Sequence, residues 1–325
     1  MVIILALLFP HDTLSVMFWN VENFFDWRND STTVSDLEFS PAGERHWTWK
    51  RFQAKANAFA KALFWVEGET GRLPDIVGLE EVENAFVLRQ VLQKTALRKT
   101  DYKYVHYDSP DRRGIDVSLL YRSSVLELLD SKPCHLYAAD TVMATRDILL
   151  CVFQREAPDS TIFAVLVNHH PSKYGGAAES EPRRRIAVER LRFLADSLAA
   201  IGIDRIIAGG DFNDTPDNPV FRLLEPALMP THLDLYRRGQ GTIKYDGKWD
   251  LIDHIYVSPG RITHSMRILR IPFLLTRDNV HSGEKPLRTY TGPRHTGGIS
   301  DHLPVMVEVF FPDNSKGNPH PVDPP

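Results

Sequence analysis

Ile206-Ile207-Ala208-Gly209-Gly210-Asp211-Phe212-Asn213-Asp214 reads as a buried strand that opens through two glycines into an acid and an amide spaced to share one face. Polar residues placed just past the end of an apolar strand mark where layered α/β proteins gather their sites. A calcium loop competes for Asp211, Asn213 and Asp217, but such a loop needs glycine at its sixth position, where Pro216 stands.

Outward from this stretch the same pattern recurs. Short strand-like runs are predicted at Leu14–Val21, Ile76–Val82, Ile115–Tyr121, Ile148–Phe153, Thr161–His169, Arg205–Gly209, Leu251–Val257 and Pro304–Phe311. Helices fit between them. One is predicted from about Glu44 to Val66, with Phe52, Ala56, Phe59 and Leu63 on one face; another runs from Arg183 to Ala200, with Ala187, Leu191, Leu194 and Leu198 at helical spacing. This alternation is that of a layered α/β domain. No repeat or linker divides the chain, so one domain is expected over 14–311, with an apolar leader or export signal over 1–13 and a disordered tail over 312–325.

Composition sets limits. With 325 residues, 43% hydrophobic and 25% charged, the chain has the apolar mass for a large core. A net charge of −4 lacks the bias of an obligate nucleic-acid binder, so any polyanion must meet a local basic patch. Cys134 and Cys151 are too few for a disulfide framework or a zinc cluster. Val2–Phe9 is apolar but has no basic residue before it and is too short to span a bilayer, so no stable membrane insertion is expected and the compartment stays open between export and cytoplasm.

Other polar residues fall at strand ends in the same way. Asn20 and Glu22 lie in the strand-like run Phe18-Trp19-Asn20-Val21-Glu22-Asn23, and Glu80 and Glu81 close the strand from Ile76. Adjacent strand residues point to opposite faces, so one of these two acids looks into a given site, where it suits Mg²⁺. Val165-Leu166-Val167-Asn168-His169-His170 ends another apolar run; zinc is disfavoured there, because neighbouring histidines diverge and cysteine ligands are absent. Asp253 sits inside the apolar run from Leu251, where an unpaired charge is costly, and His302 precedes the last strand. A carboxylate behind an imidazole fixes its tautomer and stabilises its charged form, so Asp253 and His302 are the expected pair.

Asn20, Glu81, His169, Gly210-Asp211-Phe212-Asn213 and Ser300-Asp301-His302 occur in the order and approximate spacing of the endonuclease/exonuclease/phosphatase superfamily, which the chain resembles from about Val16 to Phe310. Asn168-His169-His170-Pro171-Ser172-Lys173 and Arg113-Gly114-Ile115-Asp116 resemble its bacterial branch. One departure is Glu80, where relatives usually have Gln; it is expected to put an extra negative charge near the site.

The resemblance implies a four-layer α/β/β/α sandwich, two packed mixed β-sheets flanked by helices, of the deoxyribonuclease-I type. It implies Glu81 as metal ligand, with Asn20 and Asp301 completing or supporting the shell around Mg²⁺, Mn²⁺ being the alternative. Asp211 and Asn213 would orient the attacking water and a phosphate oxygen. His169 and His302 would grip the phosphate, backed by Asp116 and Asp253. Arg113, Lys173, Arg183 and Arg288 stand as substrate contacts, with Lys285 and Arg294 among further candidates.

The expected activity is therefore metal-dependent hydrolysis of phosphate esters, foremost a phosphodiesterase acting as a nuclease on DNA, in a monomer with no obligate protein partner. A lipid or inositol phosphodiesterase is the alternative, drawn from Phe24, Phe25, Trp27, Phe39, Trp47 and Trp49 around an acidic segment. A non-catalytic binding protein on the same fold is the third reading.

Overall fold

The computed structural model describes residues 13–28, 34–155, 160–173, 177–260 and 263–311, so the expectations for the leader and for the tail lie outside the described residues. Twelve strands form the two main sheets: β1 Thr13–Phe24, β2 Ile76–Val82, β3 Tyr102–His106, β4 Asp116–Arg122, β5 Leu126–Cys134, β6 Ile148–Arg155, β7 Ile162–His169, β8 Ile206–Asp211, β9 Met229–Pro230, β10 Asp253–Val257, β11 Thr263–Ile268 and β12 Val305–Phe310. The main helices are α1 Trp49–Thr70, α2 Ala85–Lys94 and α3 Ala177–Ala200.

One sheet has the order β11-β12-β1-β2-β4-β3 and the other β9-β10-β8-β7-β6-β5. Each is mixed. A parallel pair, β1 with β2 or β7 with β8, lies at the centre, and the flanking pairs are antiparallel. Alternation along β1 builds the layers directly. Val16 and Phe18 enter the core between the sheets with Val165, Val167 and Ile207, whereas Met17 and Trp19 face outward with Phe52, Phe59 and Leu63 of α1. On the far side, Leu166 and Ala208 pack against Ala187, Leu191 and Leu194 of α3. The result is the α/β/β/α sandwich.

Phe18 sets how closely the sheets approach. Its ring lies where a Cβ on Gly78 would stand 2.5 Å from it and a Cβ on Gly209, in the opposite sheet, 2.4 Å from it. Glycine at both positions lets one aromatic ring bridge the sandwich at the level where the site begins.

Boundaries moved for local reasons. α1 begins at Trp49 rather than near Glu44, because His46 takes a positive φ of 46° and Thr48 is extended at the N-cap; it ends at Gly71, a left-handed C-cap whose N–H donates to Glu67 O at 2.7 Å. β3, β5 and β11, which no run of the sequence predicted, lie at or next to sheet edges. Cys134 and Cys151 are buried free thiols, and their register separates them, Cys134 standing opposite Ile148 and Cys151 opposite Ser131. Among the described residues no helix is long and apolar enough to cross a membrane.

Candidate active site

The polar residues cluster where both central parallel pairs end. Across the second sheet Asp211 is register partner of His169 on one side and of Asp253 on the other, and in the first sheet Asn20 pairs with Glu80. The two rims face each other through one atom. Asp211 Oδ2 accepts the Asn20 Nδ2–H at 3.0 Å and lies 3.6 Å from His169 Nε2 and 3.9 Å from His302 Nε2.

The chain bends sharply to achieve this. Glu22, Asn23, Glu81 and Asn213 have φ of 47°, 50°, 65° and 52°, values that side chains other than glycine seldom adopt. At Glu81 the register with β4 shifts. The bulge aims Glu81 at the rim, where Oε1 lies 3.9 Å from His169 Nε2 and Oε2 accepts the Asn23 N–H at 2.8 Å, and leaves Glu80 wholly buried. Gly210, at φ 130°, is needed for the close approach: a Cβ there would stand 2.0 Å from Asn168 O and 2.7 Å from Glu80 Oε1.

His302 is held from three sides. Its Nδ1–H donates to Asp253 at 2.9 Å, its backbone N–H donates to Ser300 Oγ at 2.9 Å, and its carbonyl accepts from Trp19 Nε1 at 3.0 Å. The Ser300 hydroxyl donates to Asn20 O at 2.6 Å, tying the turn to β1, and the Thr242 hydroxyl donates to Asp253.

Burial opposes the His302 imidazolium, but Asp253, Asp211 and the hydrogen bond outweigh it and raise its pKa well above the ordinary value. His169 goes the other way. Burial, with the positive charges of Arg146 and Arg113, pushes it well below, so it is neutral. Burial raises Asp211 to about 7, with Asp253 adding and His302 opposing. Glu80 is raised well above the carboxylate range by burial, then by Asp253 and Asp211. Burial and these neighbouring carboxylates disfavour the negative charge that the sequence led one to expect of it.

A second acidic group lies beside the first. Glu22 accepts the Thr289 N–H at 2.6 Å and meets Arg288 at 3.1 Å, and Arg288 also reaches Asp301 at 3.0 Å. The buried Lys55 ammonium donates to Glu22 O and to Thr289 Oγ1. Burial, aided by Asp301, lifts Glu22 to about 7, and burial lowers Lys55 to about 8 against the pull of Glu22, Glu81 and Asp301. Asn20, Glu81 and Asp301 offer only oxygen donors, the chemistry that hard divalent cations select, and the Asn20 Oδ1 also accepts the Glu22 N–H at 2.9 Å.

Several expected roles are not met. Asp116 does not back His169. It is 3.2 Å from His106 Nε2 and accepts the Ser109 N–H at 2.9 Å, while His169 Nδ1 has no hydrogen-bond partner among the described residues. The β3–β4 pairing brings His106 beside Asp116, and together with Asp108 they present ligand atoms within 4.8 Å of one another. The Asn213 amide donates to His170 O at 2.9 Å and its N–H to Asp211 Oδ1 at 2.8 Å, so it braces the loop. Arg288 is clamped between two carboxylates. Lys173 pairs with Asp214 at 2.6 Å, and Arg183 stands exposed on α3 while its neighbour Arg184 is buried against Asp214 at 3.2 Å. Arg113 remains half-exposed near Asp111.

Glu22, Lys55 and Arg146 had no assigned role in the sequence. Lys55 was legible as a cation on the apolar face of α1, between Phe52 and Ala56. Arg146, buried between Asp111 at 3.0 Å and His170 O at 2.7 Å, left no local signal.

The sequence model described as Endonuclease/Exonuclease/phosphatase family matches residues 15–310. No curated protein matches by sequence. Among solved structures, the catalytic domain of human nocturnin with bound sulfate is 18% identical at a TM-score of 0.59, covering 93% of this chain and 95% of its own. A mannosyl-6-phosphatase of Bacteroides thetaiotaomicron is 17% identical at 0.58, covering 92% and 100%. A humanized D. rerio TDP2 is 16% identical at 0.56, covering 92% and 99%. These likenesses show the fold.

Proposed function

The chain belongs to the endonuclease/exonuclease/phosphatase family, whose members hydrolyse phosphate esters, and from that premise we propose that it is a divalent-metal-dependent phosphodiesterase with DNA as favoured substrate. The observation that carries the reading is the meeting of Asn20, His169 and His302 on one oxygen of Asp211, with Asp253 behind His302. Phosphate-ester hydrolysis calls for positioning and charge neutralisation more than covalent chemistry. Glu81, Asn20 and Asp301 would hold the metal, which supplies positive charge to the phosphate oxygens.

The chain's own groups divide the remaining work. His302 carries a proton at Nε2 and presents it, as an imidazolium, to a phosphate oxygen. Asp211, poised near neutrality, takes the proton of the attacking water. His169 is neutral and contributes a hydrogen bond without a charge. Arg113, half-exposed, adds positive charge on the His169 side.

The lipid alternative has less support. Phe24, Phe25, Phe39 and Trp47 are core residues, Trp27 packs against Phe52 and Phe86, and only Trp49, 51% exposed, is offered to an interface among these aromatics.

The test is hydrolysis of bis-p-nitrophenyl phosphate and supercoiled plasmid with Mg²⁺ or Mn²⁺, comparing wild type with His302→Ala, Glu81→Gln and EDTA. Cleavage of both substrates, abolished in every control, is expected. Ester cleavage without nicking removes DNA, and no cleavage with either metal refutes the enzyme.

A further inference from the structure

Three two-stranded ribbons close a cavity of about 540 Å³ beside the site: Ile243–Tyr245 with Lys248–Asp250, Leu275–Arg277 with Glu284–Pro286, and Tyr290–Thr291 with Arg294–His295. Five cations line it, Lys244, Arg277, Lys285, Arg288 and Arg294, against a single lining acid, Asp301. One of the five is structural. Lys244 is 4% exposed, 3.1 Å from Asp278 Oδ2, and donates to Ser282 O at 2.9 Å. Lys285 meets the other oxygen of Asp278 at 3.5 Å and stays 40% exposed.

Arg277 and Arg294 are different. Both are exposed, and neither has a carboxylate within ion-pair distance among the described residues. Counting Asp278, Asp301 and Glu22 against the five cations leaves about two positive charges unneutralised, both arriving from separate ribbons onto one concave wall. Scattered surface arginines are ordinary and need no explanation. Convergence on a recess is less so, since like charges held together repel unless an anion joins them.

The cavity is continuous with the catalytic residues. Arg288 and Asp301 belong to both. Ile243 forms a β-bridge with His302, the Leu303 N–H donates to Thr242 O at 2.8 Å, and the Thr242 hydroxyl donates to Asp253. The ribbon that walls the cavity thus braces the His302–Asp253 pair, and a group bound there lies next to the ester.

We propose that this cavity is an anion subsite that takes a second phosphate of the substrate, covalently linked to the one being hydrolysed. The proposal rests on the phosphoesterase reading and deepens it. Guanidinium groups match phosphate geometry, which suits Arg277 and Arg294 to the task. Two sources share the chemistry: the neighbouring backbone phosphate of DNA and the second phosphate of a small bisphosphate.

The experiment is calorimetric binding, in EDTA, to wild type and to the Arg277→Ala/Arg294→Ala double variant. The probes are the dinucleotide pdTpdT against dTpdT, and fructose 1,6-bisphosphate against fructose 6-phosphate. Bis-p-nitrophenyl phosphate hydrolysis with Mg²⁺ and thermal unfolding are followed on the same proteins and on the Arg277→Ala single variant. Removing each arginine should weaken binding of the probe with the extra phosphate about tenfold, so about a hundredfold together, while the probe lacking it changes less than about twofold and basal hydrolysis by the Arg277→Ala single variant changes less than about twofold. A loss confined to pdTpdT assigns the subsite to a nucleic-acid backbone, and a loss confined to the sugar assigns it to a small bisphosphate. Equal affinities for wild type and variant, or no gain from the second phosphate in wild type, overturn the subsite. If wild type binds as expected but hydrolyses nothing, the phosphoesterase reading falls and the anion site stands.

Discussion

Replacing Asp253 with Asn keeps the shape of the side chain and an oxygen facing His302, but removes the charge. The imidazole and carboxylate are 2.9 Å apart with side chains only 6% and 2% exposed, so solvent screens them little. A unit-charge pair near 4 Å is worth about 4 kcal/mol at an effective dielectric of about 20. Asp253→Asn should therefore lower the His302 pKa in the metal-free protein, because burial, the largest influence, then meets less opposition. At pH 7 the variant holds less imidazolium than wild type, and kcat/KM for bis-p-nitrophenyl phosphate should fall about 10²- to 10³-fold. The sign follows from which form acts. The imidazolium persists in wild type well above pH 6.5, whereas in the variant it returns only on acidification, so the activity gap narrows as pH falls. Linkage gives a second readout. A raised histidine pKa contributes stability that is full below about 6.5 and lost as pH rises through the folded value, so the variant's destabilisation is larger at pH 6 than at pH 10. Titration of His302 by NMR in EDTA, the pH–rate profile with Mg²⁺ and urea unfolding at both pH values measure the three effects. An unchanged or higher His302 pKa in the variant, or an activity loss independent of pH, refutes the reasoning.

Gly209→Ala should destabilise by about 1–3 kcal/mol in urea unfolding, because its Cβ meets the Phe18 ring at 2.4 Å. Phe18→Leu in the same chain should recover part of that loss, and strict additivity of the two changes contradicts the contact. His232 is buried and neutral, its pKa lowered to about 4 by burial. Since the folded value lies below the unfolded one of about 6.5, stability is full above pH 6.5 and declines as pH falls. His232→Phe leaves Ile255 O bonded to Thr231, so the stability of wild type relative to this variant should fall by about 2 kcal/mol between pH 7.5 and pH 5. An unchanged difference shows His232 to titrate in the fold as it does in the unfolded chain, contrary to its burial.

The central strands were legible because both of their faces are buried. Ile76–Leu79, Ile162–Val167 and Ile206–Gly209 are continuous apolar runs for that reason. Leu126–Cys134 was not, since an edge strand with one face in water carries Glu127, Asp130, Lys132 and Pro133, which read as a loop. Asp253 with His302 could be paired from the sequence, because a carboxylate within an apolar strand demands a partner. Asp116 with His169 could not be ruled out by the same logic, because nothing local shows that β3 delivers His106 to the carboxylate first.

Order, spacing and periodicity along the chain determined the layers, the strand ends on which the acids and histidines sit, and the family. Those properties depend on neighbours in sequence, which the sequence displays. Tertiary structure decided which groups meet: Asn20 reaches Asp211 across 191 residues and Arg288 reaches Glu22 across 266. It also shifted their charge, disfavouring the charged forms of Glu80 and His169 and favouring that of His302, because burial and the distance to other charges exist only once the sheets have packed.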